Sequence, residues 1–261
     1  MKKKSIRLLA KLLAAAMITI LLLGSIVAYA ESSYTVTKAP QLAALVKMGK
    51  NNGQPGPISI TRGTMVSRTG VTQEIYLVTF SGTELVLNQS TDVITDLLSG
   101  FNLNNPYYLN AVKVIRANVP AGSKLVLAGT SLGGMVAQQV AANPVIKREY
   151  QVLNTVGFGS PLLSQGFREG KIQRLGDWAD PVPYLSINTF TAPIHSIFGL
   201  NRESSRYKLP IQAHVNSYIL DDPWGKYDAT GTLNGGTKLV LDLDTRVFYP
   251  APFFDLSVFH Q

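Results

Sequence analysis

Short apolar runs alternate along the chain with segments whose apolar residues recur at helical spacing. Three segments predict helices, namely residues 39–47, 106–118 and 135–142. Strands are predicted by runs rich in β-branched, aromatic or other apolar residues, at residues 58–60, 74–80, 124–128, 152–158 and 171–175. Residues 237–248 predict a late strand, at a sheet edge or in a final hairpin. Strands that alternate with helices predict an α/β fold with a mostly parallel central sheet and helices on both faces.

Composition supports a globular chain with a sizeable core. Hydrophobic residues make up 46% and charged residues 15%, which excludes disorder, collagen and a coiled coil. The formal net charge is +8, but five basic residues lie within residues 1–30, which contain no acid. The remainder therefore has a net charge of only +3, and the sequence gives no case for a nucleic-acid partner. No repeat or linker follows residue 30, so residues 31–261 are predicted to be one domain.

The first thirty residues have the pattern of an export signal. Residues 1–11, which include all five basic residues of the leader, precede an apolar run at residues 12–23. Ala28-Tyr29-Ala30 then places small residues where signal peptidase requires them. We expect cleavage after Ala30 and a secreted protein. The alternative is an uncleaved membrane anchor, since residues 12–30 are uncharged and just long enough to span a bilayer. The chain has no cysteine, so disulfides and a lipid-modified cysteine are excluded.

A candidate nucleophile lies where a predicted strand meets a predicted helix. Residues 129–133 fit the pattern G-x-S-x-G, in which a sharp turn exposes the central serine, here Ser131. Glycines on either side remove Cβ atoms that would collide in such a turn, and the next backbone N–H is directed toward an oxyanion. The alternative is a glycine-rich turn that only permits close packing.

A serine nucleophile needs a base, and the chain offers three histidines. His195 lies in a predicted loop, and His260 is the penultimate residue, where chain ends fray. His214 lies between structured stretches and follows several acids. The order serine, acid, histidine is the one found in α/β hydrolases, and His214 satisfies it.

Six segments together resemble the class 3 lipases, the family of fungal triacylglycerol lipases. The resemblance covers about residues 75–220 and is highly specific as a combination. In chain order, the six segments are an oxyanion strand at residues 80–83, the segment after it at 92–97 and the nucleophile segment at 130–134. The next strand end follows at 158–161, the acid segment at 180–185 and a histidine-plus-tyrosine segment at 214–218. In the nucleophile segment, Thr130 stands where the family usually has histidine.

The resemblance implies an α/β-hydrolase fold and a role for five residues. Ser131 would be the nucleophile, Asp180 the orienting acid and His214 the base, while Thr83 and Leu132 would donate to the oxyanion. No metal or cofactor is implied. The sequence departs from the family at Ser81, where an arginine is usual, and this predicts a looser loop beneath the oxyanion strand. It also separates His214 from Tyr218 by three residues instead of two.

Asp177 is the nearest rival to Asp180 as the acid. We prefer Asp180 because Pro181 stiffens the chain directly after it, which suits a fixed orienting group. Asp221, Asp222, Asp242 and Asp244 lack the spacing of calcium ligands and are interpreted as solvated turn or edge-strand residues.

The sequence therefore predicts a secreted serine hydrolase of lipid esters, of the triacylglycerol lipase or phospholipase type, acting at a lipid–water interface. Two alternatives stay open: an esterase or acyltransferase for small soluble esters, and a non-catalytic surface-binding protein on the same scaffold. Residues 84–95, among which apolar side chains are frequent, directly follow the predicted oxyanion strand and are expected to form a short lid whose apolar side meets the lipid.

Overall fold

The computed structural model describes residues 33–49, 56–82, 106–163, 169–185 and 199–251. The predicted leader, the predicted lid, His195 and His260 lie outside the described residues. Tyr34–Gln261 form one of two units, the other being Met1–Ser33.

The three predicted helices are present, two of them with the predicted bounds and the third beginning at Leu132 instead of residue 135, and the structure adds three short helices that the sequence does not predict. They are α1 (Ala39–Lys47), α2 (Pro106–Asn118), α3 (Leu132–Ala142), α4 (Pro144–Glu149), α5 (Pro210–Asn216) and the single turn α6 (Asp221–Trp224). Proline occupies the first turn of α1, α4 and α5, where its missing N–H has no intrahelical acceptor to lose. Asn143 caps α4, since its Oδ1 accepts from Val145 N at 2.8 Å. None of these helices in the described part of the chain is long and apolar enough to cross a membrane.

The described strands form one eight-stranded sheet. They are β1 (Ser33–Val36), β2 (Ile58–Val66), β3 (Thr72–Phe80), β4 (Lys124–Thr130), β5 (Gln151–Phe158), β6 (Lys171–Asp177), β7 (Leu200–Glu203) and β8 (Lys238–Tyr249). Their order is β1-β8-β2-β3-β4-β5-β6-β7. Strands β3 to β7 are parallel, and β2 is antiparallel to both β3 and β8. The predicted α/β fold with a mostly parallel sheet is confirmed.

The predicted place of the last strand at an edge or in a hairpin is wrong. β8 lies between β1 and β2, and its pairing with β2 runs from Ile58–Tyr249 to Val66–Lys238. The strand is nonetheless half exposed, which gives it the alternating polar pattern of an edge strand. Pattern alone therefore could not locate its neighbours.

Both faces of the sheet are covered. Along β4, Leu125 and Leu127 pack with α2 and α3, while Val126 and Ala128 pack with α1 and with Trp224 and nearby residues. This double burial explains why residues 125–128 are continuously apolar. Because β4, β5 and β6 are parallel, their carboxyl ends lie at the same edge of the sheet, where ligands of open α/β sheets usually bind.

Candidate active site

Ser131 stands alone at the junction between β4 and α3. Its φ of 53° and ψ of −123° lie outside the regions that a side chain normally permits. Its N–H donates to Phe158 O at 2.9 Å, so the turn is fastened to the end of β5. The side chain remains 7% exposed. The predicted sharp turn is thus present, and it holds the serine at the carboxyl edge of the sheet.

The glycines of the motif are required by close backbone approaches. A Cβ at Gly129 would collide with the carbonyl group of Gly133, and one at Gly133 would collide with the carbonyl of Phe80. A Cβ at Gly134 would lie 2.5 Å from Ser160 Cβ. The strand, the turn and the helix can therefore pack this tightly only without side chains at these positions.

The two predicted oxyanion donors differ in what the structure describes. Leu132 is the first residue of α3, so its N–H has no acceptor within the helix. Thr83 lies outside the described residues. Its neighbour Gly82 adjoins the serine turn, because a Cβ there would lie 3.0 Å from Ser131 Cβ. The end of β3 therefore leads directly to Ser131.

Ser81, which stands where class 3 lipases usually have arginine, is itself held in place by hydrogen bonds. The chain from residue 83 to residue 105 lies outside the described residues, so the predicted looser loop stays a prediction. Ser81 is 1% exposed, and its hydroxyl donates to Val46 O at 2.5 Å. Its N–H donates to Pro57 O at 2.8 Å, and its carbonyl accepts from Tyr107 Oη at 3.1 Å. These three bonds tie Ser81 to α1, to the approach to β2 and to α2.

Asp180 is completely buried and is surrounded by hydrogen-bond donors. Its Oδ1 accepts from Val182 N at 2.9 Å. Its Oδ2 accepts from Tyr218 Oη at 2.6 Å and contacts His214 Nδ1 at 2.8 Å. A buried carboxylate needs such partners to remain stable. The structure thus brings together Asp180 and His214, which lie 34 positions apart in the sequence.

His214 lies on α5 with its side chain 7% exposed. Because Nδ1 faces the carboxylate, that nitrogen carries a proton and Nε2 is the one left for other chemistry. Among the described residues, Ser131 Oγ and His214 Nε2 form no hydrogen bond. The two sides approach each other through the end of β5, since Phe158 O accepts from Ser131 N and Gly159 packs against Asp180.

Tyr218 is a site residue whose contact with the acid the sequence did not predict. Its hydroxyl accepts from Asp177 N at 3.1 Å while donating to Asp180. Its ring stacks on Trp224 with centroids 5.5 Å apart. Burial, and then the charge of Asp180, raises the pKa of Tyr218 well above its ordinary value. The hydroxyl therefore stays protonated and continues to donate.

Asp177 has a different environment from Asp180. Its carboxylate accepts from Ala179 N at 2.8 Å and from Ser205 N at 3.2 Å, and it makes no contact with an imidazole among the described residues. It therefore joins the Asp180 loop to the segment before α5. Trp178, which lies between the two aspartates in the sequence, is 56% exposed and has the Arg202 guanidinium 4.7 Å from its ring centre.

Arg174 is a second residue whose contribution the sequence did not reveal. Its guanidinium is fully buried and donates to Ser160 O at 3.0 Å and to Pro183 O. These carbonyls belong to the loops after β5 and after Asp180, so Arg174 holds the two loops together. A single arginine in a short strand of mixed polar and apolar residues forms no pattern that marks it as buried.

The chemistry that this edge offers is that of a serine and an aspartate–histidine pair. In the described part of the chain, no three His, Asp or Glu residues lie close enough together to hold a metal ion. The fold and these side chains define an α/β protein that presents a serine and a buried acid–imidazole pair at one sheet edge.

Comparison with known proteins identifies the family. A model of the Tle-like phospholipase domain matches residues 26–169, more than half of the chain, and the chain belongs to this phospholipase-like family. Membership indicates a hydrolase of lipid esters. It supports a lipase or phospholipase type of family, which is broader than the fungal class 3 lipases that the sequence resembles. The matched range contains Ser131 but ends before Asp180 and His214.

No curated protein and no solved structure matches the chain.

Proposed function

We propose that the protein is a serine hydrolase of phospholipid or other lipid esters, built on an α/β-hydrolase fold. The observation that carries the proposal is that one edge of the sheet holds both parts of the site. Ser131 stands on a strained turn after β4, and Asp180, in the loop after β6, contacts His214 of α5. Membership in a phospholipase-like family supports the lipid substrate. The resemblance to class 3 lipases supports the order Ser131, Asp180, His214.

The proposed reaction begins with Ser131. Its hydroxyl attacks the ester carbonyl carbon while His214 Nε2 accepts the proton, which gives a tetrahedral intermediate. The imidazolium then returns the proton to the departing alcohol, and an acyl-serine remains. Water, deprotonated by the same nitrogen, attacks the acyl-serine to give a second tetrahedral intermediate. The imidazolium then returns the proton to Ser131 Oγ as the bond between Oγ and the acyl carbon breaks, which releases the fatty acid and restores the serine.

Asp180 orients the imidazole and stabilises its positive charge. Tyr218 and Val182 N fix the carboxylate by their hydrogen bonds. The oxyanion would be bound by Leu132 N–H and by Thr83. One such donor contributes about 2.7–4 kcal/mol to transition-state binding in serine enzymes where it was tested.

Covalent labelling tests this proposal directly. A fluorophosphonate probe should modify the purified protein at Ser131, as read by peptide mass, and a Ser131→Ala variant should remain unlabelled. The same preparation should release fatty acid from phospholipid vesicles. A protein that neither labels nor hydrolyses lipid would be a binding protein, whereas labelling with turnover of short soluble esters alone would indicate an ordinary esterase.

Export is part of the proposal, and it rests on residues 1–30. The secreted product should begin at Glu31, which an intact mass would show. Recovery of the full-length chain in the membrane fraction would instead indicate an uncleaved anchor.

A further inference from the structure

The segment just before the proposed base exposes apolar side chains. Leu209 is 60% exposed and Ile211 is 37% exposed, whereas Ala213 and His214 on the same short helix are buried. α5 therefore has one side in the site and one end in solvent. Two neighbouring aliphatic side chains left in water, within five residues of the proposed base, are the first observation.

Two cations come directly before these apolar side chains in the sequence. Arg206 and Lys208 are exposed, and neither forms an ion pair among the described residues. Lys208 Nζ donates only to Ser205 O, at 3.4 Å. Arg206 lies 5.3 Å from the ring centre of Tyr207. An apolar pair next to two cations, neither of which pairs with an acid in the described part of the chain, is complementary to a surface that is apolar inside and anionic outside.

The segment is fastened to the site. Ser205 N donates to Asp177 Oδ2 at 3.2 Å, so the start of the segment is tied to the loop that carries Asp180. Tyr207 N donates to Ser205 Oγ at 3.2 Å, and Ala213 N donates to Leu209 O at 2.9 Å. Contacts made by Leu209 or Ile211 would thus be made at a fixed distance from Asp180 and His214.

Exposed apolar residues occur elsewhere, and singly they need no explanation. Val71 is 58% exposed, close to the value for Leu209, and the exposed cation Arg68 is near it in sequence. It precedes the amino end of β3, however, at the edge of the sheet opposite the site. What distinguishes Leu209 and Ile211 is their attachment to the candidate active site, and Val71 is the matched control.

We propose that residues 206–211, the base-side segment, dock onto the surface of anionic lipid. Leu209 and Ile211 would enter the boundary between headgroups and acyl chains, because apolar area leaves water there. Arg206 and Lys208 would contact the lipid phosphates. This inference rests on the proposed function, and it names the surface from which the site receives its substrate.

Vesicle binding tests the docking surface without hydrolysis. The vesicles contain ether-linked phosphatidylglycerol and phosphatidylcholine, which an ester hydrolase cannot cleave, and pure ether-linked phosphatidylcholine provides the uncharged comparison. The protein is used as isolated from the cell, with an intact mass confirming that every variant has the same N-terminus. Co-sedimentation measures partitioning, and we expect stronger binding to the anionic vesicles that weakens as salt increases.

Two independent variants remove the two halves of the surface. Leu209→Ser should weaken partitioning about tenfold by removing apolar area. Because Leu209 is the N-cap of α5 and serine is a preferred N-cap, this change should not weaken the helix. Arg206→Gln with Lys208→Gln should weaken binding to anionic vesicles by about fivefold for each cation and leave binding to phosphatidylcholine unchanged. Val71→Ser should bind as the unchanged protein does.

Equal binding by all four proteins would overturn the docking surface. So would a concentration-dependent dimer that Leu209→Ser abolishes, since the segment would then be a contact between copies. Failure of the proposed function is distinguishable from either outcome. A protein that binds as expected but never cleaves ester phospholipid would refute the enzyme and leave the surface standing, whereas cleavage with binding indifferent to both variants would refute the surface alone.

Discussion

The two halves of the candidate site are assembled in different ways. The serine half is local: β4, the turn at Ser131 and the start of α3 follow one another within about ten residues. The acid half is gathered from a distance, since Asp180 meets His214 and Tyr218 at separations of 34 and 38 residues.

The difference is one of physical cause. Glycines at positions 129, 133 and 134 have no Cβ, so the backbone of the strand, the turn and the helix can approach closely enough to form the sharp turn at Ser131. The acid half depends on a buried carboxylate that must find donors, and Val182, His214 and Tyr218 supply them. Local sterics therefore set the first half, and long-range hydrogen bonds set the second.

The sharpest way to test the local half is to remove its hydroxyl. Ser131→Ala should lower ester hydrolysis by ~10⁵ or more, as loss of the nucleophile does in other serine hydrolases. The fold should be unchanged, as judged by circular dichroism. Ser131→Gly should be equally inactive. Its free energy of unfolding, measured with urea, should exceed that of Ser131→Ala by ~1 kcal/mol, since glycine adopts a positive φ without strain. Equal stability of the two variants would show that the turn is not strained.

The acid half is tested by comparing two aspartates three residues apart. Asp180→Asn should lower kcat by ~10⁴, because the amide cannot hold the imidazole in its working tautomer. Asp177→Asn keeps one acceptor oxygen and does not touch His214, so its loss should stay within about tenfold. The measurement is kcat on a soluble ester, and the reverse order would make Asp177 the acid.

Tyr218→Phe should separate stability from chemistry. The variant keeps the stacked ring but leaves Asp180 one donor short, which should cost ~1–3 kcal/mol in the free energy of unfolding. Hydrolysis should fall much less than with Asp180→Asn, because His214 and Val182 still hold the carboxylate. Urea titration and kcat on the same ester check both expectations, and an unchanged urea midpoint would contradict the role given to this hydroxyl.

The smallest expected effect is a loss of stability at alkaline pH. Burial raises the pKa of Tyr107 and Tyr218, and the charge of Asp180 adds to the shift of Tyr218. Above pH ~10 the unfolded chain has released these protons while the folded protein retains them, so stability should fall as pH rises. Urea midpoints at pH 8 and pH 10.5 measure the fall. It should be smaller in Tyr218→Phe, and an identical fall would assign it to other groups.

Much of the scaffold was readable because burial leaves a pattern. Residues 125–128 are apolar on both faces of the sheet and lie in a predicted strand, and Ser131 was found from the glycines around it. The sequence does not predict the short strands β1 and β7, since four half-exposed residues carry little periodicity. It does not predict the position of β8 in the sheet either, because the alternation of residues along a strand does not depend on which strands pair with it.

The sequence alone determined the α/β class, the places of the main core strands and of three helices, and the turn that presents Ser131, because these depend on neighbouring residues and on which side chains must leave water. Only the tertiary structure decided that Asp180 and not Asp177 faces His214, that Tyr218 donates to the same carboxylate, and that Ser81 is tied in place without an arginine. Each of these depends on which donor lies within about 3 Å of which acceptor. Such distances are fixed by the packing of loops from separate strands, and no short segment of sequence contains them.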